Sequence, residues 1–258
     1  MLLVLPGLVG VGAAPLAAET VSDRWERTYR LPTPGGEIVV VNPDGDVTVD
    51  VHQGSEVVVV ADRTARAESR ERARRLLRDL ELRVHETSKG LEIRVPPPRS
   101  GGWLDWIGRD GQVATDLKLS LPSGPFDLRV KSDNGDLAVR FSGRSAVLES
   151  TNGEIVIRGV GSSRTEANAL NGGILLDLAS MPESARVDLT AVNGDVRVVA
   201  PEDLQASIDA RTVNGCVGTS FDLAEGHRTR SKLIGVVNGG GGQIRVRSTN
   251  GQVWVKKD

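Results

Sequence analysis

Ser132-Asp133-Asn134-Gly135-Asp136-Leu137-Ala138-Val139 is answered 18 residues later by Ser150-Thr151-Asn152-Gly153-Glu154-Ile155-Val156-Ile157. Both read small residue, Asn-Gly, acid, then alternating aliphatics. The chain holds nine asparagines, and seven precede a glycine: Asn134, Asn152, Asn171, Asn193, Asn214, Asn238 and Asn250. Chance predicts about one such pair, so the series needs a structural cause. Successive spacings are 18, 19, 22, 21, 24 and 12 residues. Asp44-Gly45 has the same surroundings, with Val47 and Val49 in the aliphatic places.

Three and five residues after Asn134, Asn152, Asn171, Asn193 and Asn250 come aliphatics, such as Ile174 and Leu176, or Val253 and Val255. Two before sits a small or β-branched residue, such as Ser132, Ala191 or Thr212. Period-two alternation on both sides of a turn means two strands, each with one buried face. Asn and Gly tolerate positive φ, which suits them to tight turns. A string of two-residue hairpins, an antiparallel β-meander, is one solution. A parallel β-solenoid, with each repeat one coil, is the other. The solenoid explains more, because only a stacked column needs the same small residue at the same offset each time. Three departures are expected to matter. Asn214 is followed by Val217 and then Thr219, a weakened core. Asn238 leads into Gly239–Gly242, an insertion within a coil, and the last spacing is too short for a coil, so Gln252–Asp258 should close the stack.

Outside the repeat, Trp25–Leu31, Glu37–Val41, Asp46–Val51, Glu56–Ala61, Leu91–Val95 and Val113–Leu121 read as strands. An inserted amphipathic helix is predicted over about residues 64–83, with Ala73, Leu76, Leu77 and Leu80 on one face. Glu68–Arg72, Glu71–Arg75 and Asp79–Arg83 have i,i+4 spacing for ion pairs. Its arginines, Arg70, Arg74 and Arg78 among them, suit either a solvated face or an anionic membrane surface. A segment spanning 96–112 carries Trp103 and Trp106. It reads as a cap on an open end of the stack or as a patch of interaction anchors.

Residues 1–18 are apolar, rich in small residues and uncharged, like the core and cleavage zone of an export signal, with cleavage expected after Ala18. That leaves 19–258 as a single domain in the periplasm, on the cell surface or secreted. The net charge of −2 argues against nucleic acid as a partner. Cys216 is the single cysteine, so no internal disulfide can form.

Catalytic signatures are missing. His52, His85 and His227 have no metal-ligand spacing, Gly239–Gly242 lacks the Lys-Ser/Thr of a phosphate loop, and no G-x-S-x-G elbow occurs. The acids after the turns, Asp46, Asp136, Glu154 and Asp195, would form a column if coils stack, which is the one arrangement that could serve acid–base chemistry. Gly173, Cys216 and Gln252 interrupt it, which favours solvated turn residues.

The run from Trp25-Glu26-Arg27-Thr28-Tyr29 through Val41-Asn42-Pro43-Asp44-Gly45-Asp46-Val47, with Leu119-Ser120-Leu121-Pro122 and the first two Asn-Gly repeats, resembles a bacterial "putative adhesin" domain of unknown function. The resemblance covers about residues 24–257. It implies a right-handed parallel β-solenoid in extracytoplasmic or envelope proteins, and it brings no catalytic residues and no cofactor. The reading is a non-enzymatic, exported structural or interaction module whose partner is a cell-envelope polymer or envelope protein, with self-association through open sheet edges. The alternatives are a polysaccharide-active enzyme using a solenoid face, and an envelope-stress or membrane-surface sensor working through the helix.

Overall fold

The computed structural model describes residues 18–31, 35–96, 111–160 and 162–258. Trp103 and Trp106 lie outside the described residues, as does nearly all of the export-like segment.

Alternation makes strands of almost everything else. The chain runs β1 (Glu19–Arg30), β2 (Glu37–Asp44), β3 (Val47–His52), β4 (Glu56–Ala67), α1 (Arg70–Asp79), β5 (Arg83–Thr87), β6 (Gly90–Arg94) and β7 (Gln112–Pro122). The repeats follow as β8 (Asp127–Asn134), β9 (Leu137–Arg140), β10 (Ser145–Asn152), β11 (Ile155–Val160), β12 (Arg164–Asn171), β13 (Ile174–Ser180), β14 (Arg186–Asn193) and β15 (Val196–Ala200). The last part is β16 (Ala206–Asn214), β17 (Val217–Thr219), β18 (Ala224–Arg228), β19 (Lys232–Val237), β20 (Gly242–Asn250) and β21 (Val253–Lys257).

Six of the seven Asn-Gly pairs, all but Asn238-Gly239, are corners and not hairpins. The strand before each corner belongs to an 11-stranded back sheet, and the strand after it to a 10-stranded front sheet. Through the middle of the stack, like pairs with like in parallel: β8, β10, β12 and β14 in back, β9, β11, β13 and β15 in front. This is the β-solenoid rather than the meander. Between the sheets, Leu128, Val130, Leu137 and Val139 of one coil meet Ala146, Leu148, Ile155 and Ile157 of the next, all buried. Phe126, Phe141 and Phe221 fill the core along the return side, opposite the corners. One coil alone could not bury such a pair of faces, so stacking is what makes the fold stable.

Antiparallel pairing appears only towards the two ends. β4 pairs antiparallel with β1 and β7, β6 with β5, and β19 with β16 and β18. These hairpins interrupt the parallel template where it would otherwise stay open.

Spatial order departs from chain order at the far end. β20 lies between β14 and β16, and β21 between β15 and β17. The final coil is therefore inserted inside the stack and does not close it, contrary to the expectation for Gln252–Asp258. The β18–β19 hairpin occupies the end of the back sheet.

The helix is shorter than the pattern predicts. Arg63–Ala67 alternates as well as it spirals, and pairing with both β1 and β7 claims it for strand β4. Ser69 then caps α1, its hydroxyl accepting from the Arg72 amide. Ala73 and Leu77 pack on Ala65 and Ala67, with Val21 and Leu76 beside them. Arg63 clamps the far end, donating to the Leu80 carbonyl at 2.7 Å and twice to the Asp23 carboxylate at 2.8 and 2.6 Å. Arg83 pairs with Glu81 at 2.8 Å rather than with Asp79.

At the corners the sequence logic is side-chain as much as backbone. Asn134 donates its amide N–H to Asp44 at 2.8 Å, Asn152 to Asn134 at 2.8 Å, Asn171 to Asn152 at 2.9 Å and Asn193 to Asn171 at 2.9 Å. Asn250 continues to Asn193 and Asn214 to Asn250, each at 2.8 Å. The result is one continuous amide ladder of the kind that stacked strands favour. None of these asparagines has positive φ; among the described non-glycine residues only Glu225 and Asn238 do. Asn238 stands apart from the ladder, in the turn between β19 and β20, donating to the Glu202 and Leu204 carbonyls.

Every interior member must both donate and accept, whereas Asp44, at the end, only accepts. Burial pushes the Asp44 carboxyl above its usual range, opposed by the Asn134 bond. A raised folded-state pKa means the favourable contribution exists when the group is protonated and is lost as pH rises through that pKa. Asp44→Asn should therefore leave stability unchanged or slightly raised at pH 7, with the gain fading below about pH 4. Asn152→Asp should instead cost about 1–3 kcal/mol, because it sets a carboxylate oxygen against the Asn134 oxygen with no donor between them. Thermal melts of the two variants across pH read this asymmetry.

Candidate interaction surfaces

The acids after the corners form the column that stacking predicts, and their chemistry is structural. The Asp136 amide donates to the Asp46 carboxylate at 2.9 Å, Glu154 to Asp136 at 2.8 Å and Gln252 to Asp195 at 2.7 Å. Asp116 of β7 extends the column, accepting from the Asp46 amide at 3.0 Å. The carboxylates of Asp46, Asp136 and Asp195 thereby tie one coil to the next. Among the described residues no group of three His, Cys, Asp or Glu side chains is arranged to hold a metal. His52 is a turn residue, its ring bonded to the Gly54 amide and the Glu56 carbonyl. Cys216 is free and half-buried at its corner.

The outer faces of the sheets carry charge in cross-strand pairs. On the back sheet Arg129 meets Glu37 at 3.7 Å and Arg245 meets Asp188 at 3.3 Å; on the front sheet Arg140 meets Asp50 at 3.4 Å. Arg144 holds the Asp127 carboxyl below its usual range through a hydrogen bond, and Arg164 does the same for Glu166. Such exposed pairs add little stability each, but they set a rigid, regular pattern of polar groups at the strand spacing of roughly 4.8 Å.

One groove interrupts that pattern. Where β14, β20, β16 and β19 lie side by side, a cavity of about 400 Å³ is lined by Asp188, Asp209, Arg245, Ile234 and Val236. Glu225, held at φ 52°, borders it from β18, where the ladder is irregular between Ala224 and His227. Ile234 and Val236 are half-buried on its aliphatic floor. Sequence reasoning missed this groove, because its walls come from coils made neighbours only by the insertion of β20. A second cavity, of about 570 Å³, lies beside the Asp44-Gly45 corner, where Thr64, Arg66 and Gln112 flank it.

Of the candidate residues, Arg70, Arg74 and Arg78 are all exposed on α1. Asn134, Asn152, Asn171, Asn193, Asn214 and Asn250 converge in the ladder, and Asn238 does not.

Known proteins bear on this architecture. Among curated proteins none matches the sequence. A solved structure from Clostridium sporogenes ATCC 15579, described as a "putative cell adhesion protein", is similar at 12% identity and a TM-score of 0.56 over 92% of this chain and 100% of that one. Structures described as adhesins from Bacteroides fragilis NCTC 9343 and Parabacteroides distasonis ATCC 8503 align at 10% identity each. The first covers 92% of this chain and 97% of its own at a TM-score of 0.33, the second 94% and 98% at 0.32. The Clostridium likeness establishes a shared fold. The model of the Toastrack DUF4097 family matches residues 37–256, from the first back-sheet strand to the last front-sheet one. With that match, and with the stacked corners it spans, the chain belongs to the Toastrack DUF4097 family.

Proposed function

We propose that this chain is an exported, non-enzymatic interaction module of the bacterial cell envelope. The observation that carries the reading is the state of its carboxylates. The turn column, the one arrangement suited to acid–base work, is occupied with backbone N–H groups of neighbouring coils. What the fold offers instead is a stiff two-sheet scaffold with ordered polar rows and one groove with an aliphatic floor. The apolar, uncharged residues 1–18 support export, and a protein of the same fold carries the description "putative cell adhesion protein".

The partner is a wall polymer or an envelope protein, held by the groove around Ile234 and Arg245 with Trp103 and Trp106 as further anchors. The test is retention of the protein by separated envelope fractions. Specific retention by one fraction, cut at least tenfold by Ile234→Glu or by the Trp103→Ala/Trp106→Ala pair, is the expected result. Retention that neither variant changes would remove both anchoring surfaces, and no retention by any fraction would remove the proposed role.

A further inference from the structure

We propose that the exposed face of α1 docks on an anionic phospholipid surface. Its register makes the case first. Arg70, Arg74 and Arg78 are spaced i, i+4, i+8 and share one stripe, with Arg75 beside it. All four are exposed. None has an acidic partner among the described residues, unlike the paired arginines of the sheets. The opposite side of the helix is already spent on Ala65 and Ala67 of β4. The cationic stripe is thus held rigidly outward.

Charge distribution sharpens this. From Arg66 to Asp79 there are six arginines against three acids, a net +3 in a chain whose total is −2. The rest of the molecule is therefore acidic and would be repelled by an anionic membrane, which leaves α1 as the attractive end.

Position supplies the occupant. Val21, near the start of β1, packs into the α1 cluster, and Glu19 pairs with Ala67. The chain therefore leaves the fold beside α1, and the 17 residues that precede the described part are apolar and uncharged. While that segment is attached, before the cleavage expected after Ala18, it would bring the arginine stripe to a bilayer surface, the usual pairing of one hydrophobic signal with one basic patch.

The experiment is co-sedimentation of the full chain with vesicles of phosphatidylcholine alone, or of phosphatidylcholine with about one-third phosphatidylglycerol. Residues 1–18 carry no charge and do not discriminate between the two, so the difference reads the arginines. Near a surface each contributes roughly fivefold in partitioning, so Arg70→Gln/Arg74→Gln/Arg78→Gln should weaken binding to the anionic vesicles by roughly a hundredfold. Binding to neutral vesicles should stay unchanged, and the wild-type preference should fall as salt rises. Gln is a good helix former, so the fold should survive, as circular dichroism will read. The triple Lys variant should retain the preference. Equal wild-type binding to both vesicles, or a preference that survives in the triple Gln variant, would overturn the proposal. It stands apart from the envelope partner proposed above: lost retention by envelope fractions with lipid discrimination intact would sink that reading and leave this one.

Discussion

Deletion of Gly242–Asp258 is expected to unfold the far third of the stack, not merely to trim its end. Among the described strands, β20 and β21 alone stand between β14 and β16 and between β15 and β17 in the two sheets. Their Ile244, Val246, Val253 and Val255 are all at most 1% exposed. At roughly 1.5–3 kcal/mol for each buried aliphatic side chain, the direct loss is on the order of 6–12 kcal/mol. That rivals the whole stability of an ordinary domain. Without β20, β16 keeps only β19, with β18 beyond it, and without β21 no front-sheet strand pairs with β17 behind them, so these short strands lose most of the face they pack against. Hydrogen exchange should show residues 206–237 losing their protection while β8–β13 keep most of theirs. Undiminished protection of 206–237 would mean that β16 had closed onto β14, and the argument for a necessary inserted coil would fail.

The second large effect belongs to the corner glycines. A Cβ on Gly172 would lie 1.9 Å from the Gly153 carbonyl oxygen, and one on Gly153 would lie 2.1 Å from that of Gly135. These are backbone atoms of the next coil, so relief requires the coils to part. Parting them stretches the bond from the Gly153 amide to the Asn171 carbonyl, 3.0 Å, in the first case and that from the Gly135 amide to the Asn152 carbonyl, 2.9 Å, in the second. Gly172→Ala should cost roughly 3 kcal/mol or more in denaturant unfolding. Gly239→Ala is the control. It also sits at positive φ, 84°, but nothing lies within 4 Å of its Cβ, so only the conformational cost of roughly 1 kcal/mol remains. Similar losses for the two would mean that backbone conformation, not close stacking, selects the corner glycine.

That contrast shows how the sequence was read correctly for an incomplete reason. The recurrence of Asn-Gly identified the turns, and φ preference alone seemed to explain them. Yet Asn152 and Asn171 are extended, and what they supply is a side-chain amide that both donates and accepts along the stack. Asp44 belongs in the ladder although it is not an asparagine, and Asn238 does not belong although it is followed by glycine. The difference lies in whether a coil stacks there, which no dipeptide records. The helix was legible from Ala73, Leu76 and Leu77, but its start was not. Arg63-Thr64-Ala65-Arg66-Ala67 satisfies both periods, and only the strands on either side of β4 decide between them.

By itself the sequence favoured the parallel solenoid over the meander, and it determined the repeat, the buried positions flanking most of its corners and the amphipathic character of α1. These follow from local periodicity, since a residue's place in a strand or helix sets the direction of its side chain. Tertiary structure alone decided which coil lies beside which. Most coils present the same small residue, Asn, Gly and aliphatic pair, so the pattern does not rank one neighbour over another. In the folded chain the β18–β19 hairpin occupies the end of the back sheet and β20 and β21 lie inside the stack, and the groove around Ile234 and Arg245 follows from that place.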